Sequence, residues 1–375
     1  MRPTLQFGDY LRLVETLALD PVFSRESVAA IRKRFGRWPA DACSFFGFER
    51  SLTEAADVPP DFLFCSFRNE QLAAPEASQL GPWAADLSAS PIDAWSIVSR
   101  FGFEWLRSDS GLQAVENIWL EFDRGDIAEL PQPNLFFGPA LRSAAHDMPG
   151  IIEHAIPFLR SSRNDASEAD AVLAASKRFL STLPAEALPF HCGVMLARNS
   201  PAIRLVIRDI PPPDIPNLLR QNGWKGDLAT VSTLLARVDG LTDWIGLNVD
   251  LFPALGPKIG LELHLDKQAK FEPRWTALMK AVADLGAGNP AMLMSLPQLN
   301  GYLHEEKHRR IWPEALLFDS RETTTRTLST LIFFAHHIKL VIQPDSALLP
   351  KAYEGFTHRM FDRASLTHSR KTESP

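Results

Sequence analysis

Lys258-Ile-Gly-Leu-Glu-Leu-His-Leu265 is the stretch that decides how the rest of this chain is read. Successive side chains of a strand point to opposite faces. Ile259, Leu261, Leu263 and Leu265 therefore share an apolar face, while Lys258, Gly260, Glu262 and His264 share a polar one. The same alternation appears in Ile203-Arg-Leu-Val-Ile-Arg208 and Ile338-Lys-Leu-Val-Ile-Gln343, each followed by a helical pattern. A sheet of such strands packs helices on one side and holds a wet, charged site on the other.

Working outward, the alternation predicts five strand pairs. They are Ser44–Glu49 with Phe62–Arg68, whose Phe-rich composition fits a buried helix almost as well, Asn117–Asp123 with Asn134–Phe137, Phe190–Ala197 with Ile203–Arg208, Trp244–Phe252 with Lys258–Leu265, and Leu328–Phe334 with Ile338–Gln343. The last pair is read as turning through Ala335-His-His337. Helical spacing predicts two helices within 5–35, then Ala169–Leu180, Asp214–Gln221, Asp227–Val238, Pro273–Leu285 and a final helix over Ala347–Met360. The unit helix, strand, strand, helix recurs, and it predicts an α+β fold: a ten-stranded antiparallel barrel of αββα units with helices outside. Closure removes edge strands, and a barrel of that size has room inside for ligands. Residues 1–40 read as N-terminal helices packing on the barrel, 41–363 as the barrel domain and 364–375 as a polar tail.

Composition narrows the function classes. The 375 residues are 45% hydrophobic and 22% charged with a net charge of −6, which fits a globular chain and gives no overall attraction to nucleic acid or anionic membranes. Any anion site must be local. Cys43, Cys65 and Cys192 form no disulfide framework and no metal-type spacing, and no apolar run reaches membrane-helix length, so the reading is a soluble cytoplasmic protein. No phosphate-binding glycine loop, nucleophile elbow, CxxC or Asp-rich DDxxD occurs. His304-Glu-Glu-Lys-His308 has the letters of a zinc helix, but Arg309 and Arg310 follow it and Trp312-Pro313 stops any helix, so a charged, solvated segment is the better reading. His336 and His337 are adjacent, which on a regular strand sends them to opposite faces and argues against a shared metal.

The placement of charges resembles the ABBA barrel of aromatic and peptide prenyltransferases, whose repeated αββα units surround a reaction chamber. The resemblance is carried by the two-faced strands and by Arg68, Arg204, Lys258 and Lys339, each on the second strand of its hairpin. It implies that these four cations bind a prenyl diphosphate without an obligatory metal or other cofactor. It also implies that Glu121, in Ile118-Trp-Leu-Glu-Phe-Asp123, orients and helps deprotonate the acceptor, an aromatic small molecule or a peptide side chain. Trp119, Asn248, Glu262, His264 and Gln343 then line the substrate site. Members of that family shield the prenyl cation with several tyrosines, whereas this chain has three, Tyr10, Tyr302 and Tyr353, none on a predicted strand. Trp119, Trp244 or the phenylalanines of the first pair would stand in as cation–π partners. The residues leave other readings open. Lys258 and Glu262 could form a structural pair, His264 could be a hydrogen-bonded wall residue, and the same barrel could hold a peptide or small ligand as a non-catalytic binding or maturation factor.

Overall fold

The computed structural model describes residues 4–17, 22–41, 43, 45–69, 94–125, 130–161, 166–198, 200–317 and 327–362. Its strands are β1 (Phe45–Ser51), β2 (Asp61–Phe67), β3 (Val115–Phe122), β4 (Asn134–Pro139), β5 (Leu188–Val194), β6 (Ile203–Arg208), β7 (Trp244–Leu251), β8 (Leu255–His264), β9 (Asn300–His304), β10 (Thr327–Ile342) and β11 (Leu348–Asp362). Neighbours from β1 to β8 pair antiparallel in chain order, β8 pairs with β10, β10 with β11, and β11 with β1. The result is a closed ten-stranded antiparallel barrel, with β9 paired to the outer half of β10.

The apolar faces of the barrel strands turn outward, many of them onto helices. Phe7, on helix Phe7–Glu15, meets Phe46, Phe62 and Phe64, and Phe35, on helix Arg25–Phe35, meets Phe62 and Phe122. Helix Ala94–Leu106 brings Trp95 onto Phe122 and Phe101 onto Phe137. Helix Arg274–Asp284 buries Trp275, Leu278, Met279 and Val282 as its spacing predicts. Helices Ala166–Ser181, Ile215–Gln221 and Leu228–Val238 also fall where expected, whereas Ala94–Leu106 and Ala144–Ser161 are additions to the sequence reading. No helix among the described residues is long and apolar enough to cross a membrane. The predicted tail, 364–375, lies outside the described residues.

The end of the chain departs from expectation. Ala347–Met360 is not a helix but most of β11, and the predicted strands Leu328–Phe334 and Ile338–Gln343 are one sixteen-residue strand. Their supposed turn is a β-bulge between Ala335 and His337. β11 hides its alternation because its outward face carries a charge: Glu354 is buried against Arg50 of β1, with Arg50 Nε 3.4 Å from Glu354 Oε1. Arg50 also donates to the carbonyls of Val58, at 3.0 Å, and Ala56, at 3.3 Å. This pair spans the seam where β11 closes onto β1. Removing one partner of a buried pair leaves an uncompensated charge, so Glu354→Ala is expected to destabilise the barrel by about 3–5 kcal/mol. Arg50→Met with Glu354→Leu should recover most of that loss in urea denaturation, and a double variant as unstable as the single would contradict it.

Candidate active site

Inside the barrel is a cavity of about 420 Å³, walled by the polar faces of the strands. Strand register arranges those side chains in rows. One row runs through Trp244, His264, His337, Tyr353, Glu49 and Asp61, each opposite the next on β7, β8, β10, β11, β1 and β2. Its rings stack face to face: Trp244 on His264 with centroids 3.5 Å apart, His264 on His337 at 4.3 Å, and His337 on Tyr353 at 4.1 Å. The Arg208 guanidinium lies over Trp244, 4.2 Å from the ring centroid. Such a column is a rigid aromatic wall.

The adjoining row runs through Gly246, Glu262, Lys339 and Lys351. Lys339 Nζ donates to Asn248 Oδ1 at 2.6 Å and lies 3.6 Å from Glu262 Oε1. Lys351 and Tyr353 both donate to Glu49. Farther round, Arg204 makes a two-point pair with Asp250 at 2.8 and 3.1 Å, and Arg198 makes another with Asp123. The remaining wall is apolar: Phe45, Cys65, Trp119 and Phe136 form a third row, with Phe45 edge-on to Trp119 at 5.2 Å. A large apolar cavity with a few convergent polar groups is the usual form of a small-molecule site.

Two residues beyond Trp119, Glu121 faces the cavity with no hydrogen-bonding partner among the described residues. Burial, and then the charge of Glu49, push its carboxyl up to about 7. The same two causes raise Asp61 to about 6. Burial also opposes ionisation of Glu49, but Lys351 and Lys339, with hydrogen bonds from Lys351 and Tyr353, outweigh it and bring that carboxyl down to about 2. The chamber thus separates the firmly ionised Glu49 from Glu121, which titrates near neutrality, the arrangement that assigns acid–base work. Burial lowers the Lys339 ammonium and drops His191 and His336 to about 4, while raising the Tyr353 phenol well above its ordinary value.

Of the residues chosen from sequence, Trp119, Glu121, Arg204, Asn248, Glu262, His264 and Lys339 all line this cavity. Three do not. Lys258 has lumen-side parity but sits exposed toward the turn end of β8. Gln343 lies past the end of β10, where its backbone closes the turn with Ala347 and Ser346. Arg68 follows the last residue of β2 on the opposite parity to Leu63 and Phe67, and its guanidinium donates to the carbonyls of Leu112, Gln113 and Arg107. Tyr353, Glu49 and Lys351 were missed because β11 and its partner were not read as neighbours; the lumen does hold a tyrosine. His304 ends β9 and Glu305–His308 is a single helical turn. Among the described residues, the one group of three or more potential metal ligands that converges is instead His264, His336 and His337.

This closed antiparallel barrel with helices outside is the ABBA, or prenyltransferase-barrel, fold. A solved structure with the same architecture is that of AnaPT from Neosartorya fischeri, an ABBA prenyltransferase, which superposes with a TM-score of 0.50 at 12% identity over 94% of each chain. No family model matches the chain, and no curated protein matches it in sequence.

Two measurements test the electrostatics. Because Glu49 is a cause of the raised Glu121 value, Glu49→Gln should move the Glu121 titration, followed by difference infrared spectroscopy, to lower pH; an unmoved or raised titration would refute the coupling. The folded chain keeps the Glu121 proton up to about 7, whereas an unfolded glutamate releases it near about 4.3. Glu121 therefore favours folding below the unfolded value and loses that contribution as pH rises through the folded one. Glu121→Gln is accordingly expected to gain stability relative to wild type between pH 5 and pH 8, read from urea midpoints.

Proposed function

We propose that the barrel transfers an isoprenoid from its diphosphate to an aromatic small molecule or a peptide side chain, with no metal needed for the transfer. The observation that carries this reading is a free, cavity-facing carboxylate, Glu121, two residues from an aromatic wall and within the same chamber as Arg204 and Lys339. The fold shared with AnaPT agrees with it. In this scheme Arg204 and Lys339, with Arg208 and Lys351 nearby, bind the diphosphate through charge-assisted hydrogen bonds. The bond between the prenyl carbon and oxygen breaks with its electrons leaving on pyrophosphate, and those cations stabilise the departing charge. Trp119 offers a ring face to the allylic cation, whereas both faces of Trp244 are already covered, by His264 and by Arg208. The acceptor attacks that carbon and gives up its proton to Glu121, while Asn248, Glu262 and His264 hold the acceptor in place. Arg68, Lys258 and Gln343 have no part in it, since they lie outside the chamber.

One observation favours a second reading. Arg204, Lys339 and Lys351 each already have a carboxylate beside them, so a diphosphate has to compete with Asp250, Glu262 and Glu49. A non-catalytic peptide or small-ligand binding or maturation factor would have no such conflict. Turnover separates the two. With dimethylallyl, geranyl or farnesyl diphosphate and an aromatic or peptide acceptor panel, in EDTA, the transfer reading expects pyrophosphate release and a prenylated product. Its rate should rise as Glu121 deprotonates near pH 7, and Glu121→Gln should lower kcat by about 10²–10⁴-fold. Lys339→Ala should weaken diphosphate binding in thermal-shift titration. Stabilisation by acceptors with no turnover under any condition would leave the binding-factor reading in its place.

A further inference from the structure

We propose that His264, His336 and His337 form a binding site for a borderline divalent cation of the zinc class on the lumen wall, sharing His264 with the acceptor site of the transfer reading but not required by it. The sequence argues against a shared ligand role for His336 and His337, because neighbours on a regular strand diverge. The bulge between Ala335 and His337 removes that objection. It inserts a residue into β10 and re-aims side chains, a device found beside functional sites. Both imidazoles consequently border the cavity, and β8 supplies the third from the position opposite His337. One ligand atom from each ring lies within 4.8 Å of the others.

Three further features point to a ligand. His337 is buried, and its Nε2, the nitrogen left outermost when Nδ1 turns to the metal, has no hydrogen-bonding partner and faces Glu262. A carboxylate stands beside two of the rings, with Glu262 3.3 Å from His264 Nε2 and 3.9 Å from His337 Nε2, as do the carboxylates that orient metal-binding imidazoles. His336 Nδ1 and His337 Nδ1 share a hydrogen bond of 2.6 Å. Imidazole nitrogens on one tetrahedral zinc, with bonds of about 2.0 Å, stand about 3.3 Å apart. Binding would therefore replace the shared proton, open this pair slightly and draw His264 inward. An all-imidazole set suits zinc, copper or nickel and not magnesium. Three protein ligands would leave one coordination position open toward the cavity.

The test uses the full chain, freed of metal with EDTA and dialysed, titrated with zinc chloride alone in a calorimeter and with cobalt chloride in a visible spectrophotometer. Stoichiometric zinc binding and a tetrahedral cobalt band are expected. Both should weaken by at least about tenfold in His336→Ala and in the more conservative His264→Gln, with metal-free melting curves establishing that each variant folds. A His304→Ala, His308→Ala double variant should bind as wild type does. Absence of binding, equal affinity in wild type and folded His336→Ala, or loss of binding only in the His304, His308 double variant would overturn the proposal. No diphosphate is present in these titrations, so their failure leaves the transfer reading standing, and failure of transfer leaves the metal site standing.

Discussion

Everything in this structure depends on the fact that closing the barrel buries the polar face of its strands as well as the apolar one. The apolar face gains from leaving water, at about 25 cal/mol per Å². The polar face would lose unless its groups find partners. Register supplies many of those partners, because residues opposite each other on neighbouring strands are within reach. Glu49 meets Tyr353 in this way, Arg204 meets Asp250, and Lys339 meets Glu262. The same geometry stacks Trp244, His264, His337 and Tyr353 into one column. Much of the chamber chemistry is thus a by-product of strand pairing, which sets a cation against a carboxylate at Arg204–Asp250 and Lys339–Glu262 and ring against ring along the column.

Glu121 is where that satisfaction stops. Its row neighbours are Leu63 and Asn134, and Asn134 directs its amide to Asp123 and to the backbone of Ala197. Burial, with no hydrogen-bonding partner among the described residues, and then the like charge of Glu49 make Glu121 hold its proton to a pH at which free glutamates have lost theirs. A carboxyl left poised in this manner inside an aromatic cavity is a candidate for exchange of a proton with a bound molecule.

Four of the five strand pairs were legible: the third and fourth keep apolar residues on one parity and polar residues on the other, as in Ile259 to Leu265, and the first two, apolar on both parities at Phe45, Cys65, Trp119 and Phe136, were marked by the polar, Pro-containing connections between their strands. The fifth was not, for two local reasons. β11 carries charged residues on both faces, Lys351 inward and Glu354 outward, and only the distant Arg50 makes the outward charge tolerable. β10 changes parity at its bulge. Helix Ala94–Leu106 was readable in principle, since Trp95, Val98, Phe101 and Trp105 recur at helical spacing. Of the site, parity selected Trp119, Glu121, Arg204, Asn248, Glu262, His264 and Lys339, but parity says nothing about depth along the barrel. Lys258 and Gln343 have the right parity at the ends of their strands and therefore miss the cavity, while Arg68 lies past its strand on the other parity. Tyr353 and Lys351 could be found only by knowing which strand closes onto β1.

The bulge in β10 also acts as a phase step. Before it the buried outward residues are Leu331, Phe333 and Ala335; after it they are Ile338, Leu340 and Ile342. Odd positions pack against the helices in the first half of the strand and even positions in the second. A chain lacking one residue at this point would keep a smooth, fully paired strand and yet turn one half of it inside out, exchanging His337 and Lys339 for Ile338 and Leu340 on the chamber wall or spoiling the packing of the other half. The length of this segment therefore fixes which residues face the chamber, whatever residues fill it. Relatives with the same barrel are to be aligned here by which residues pack outward, with gaps placed to preserve the step.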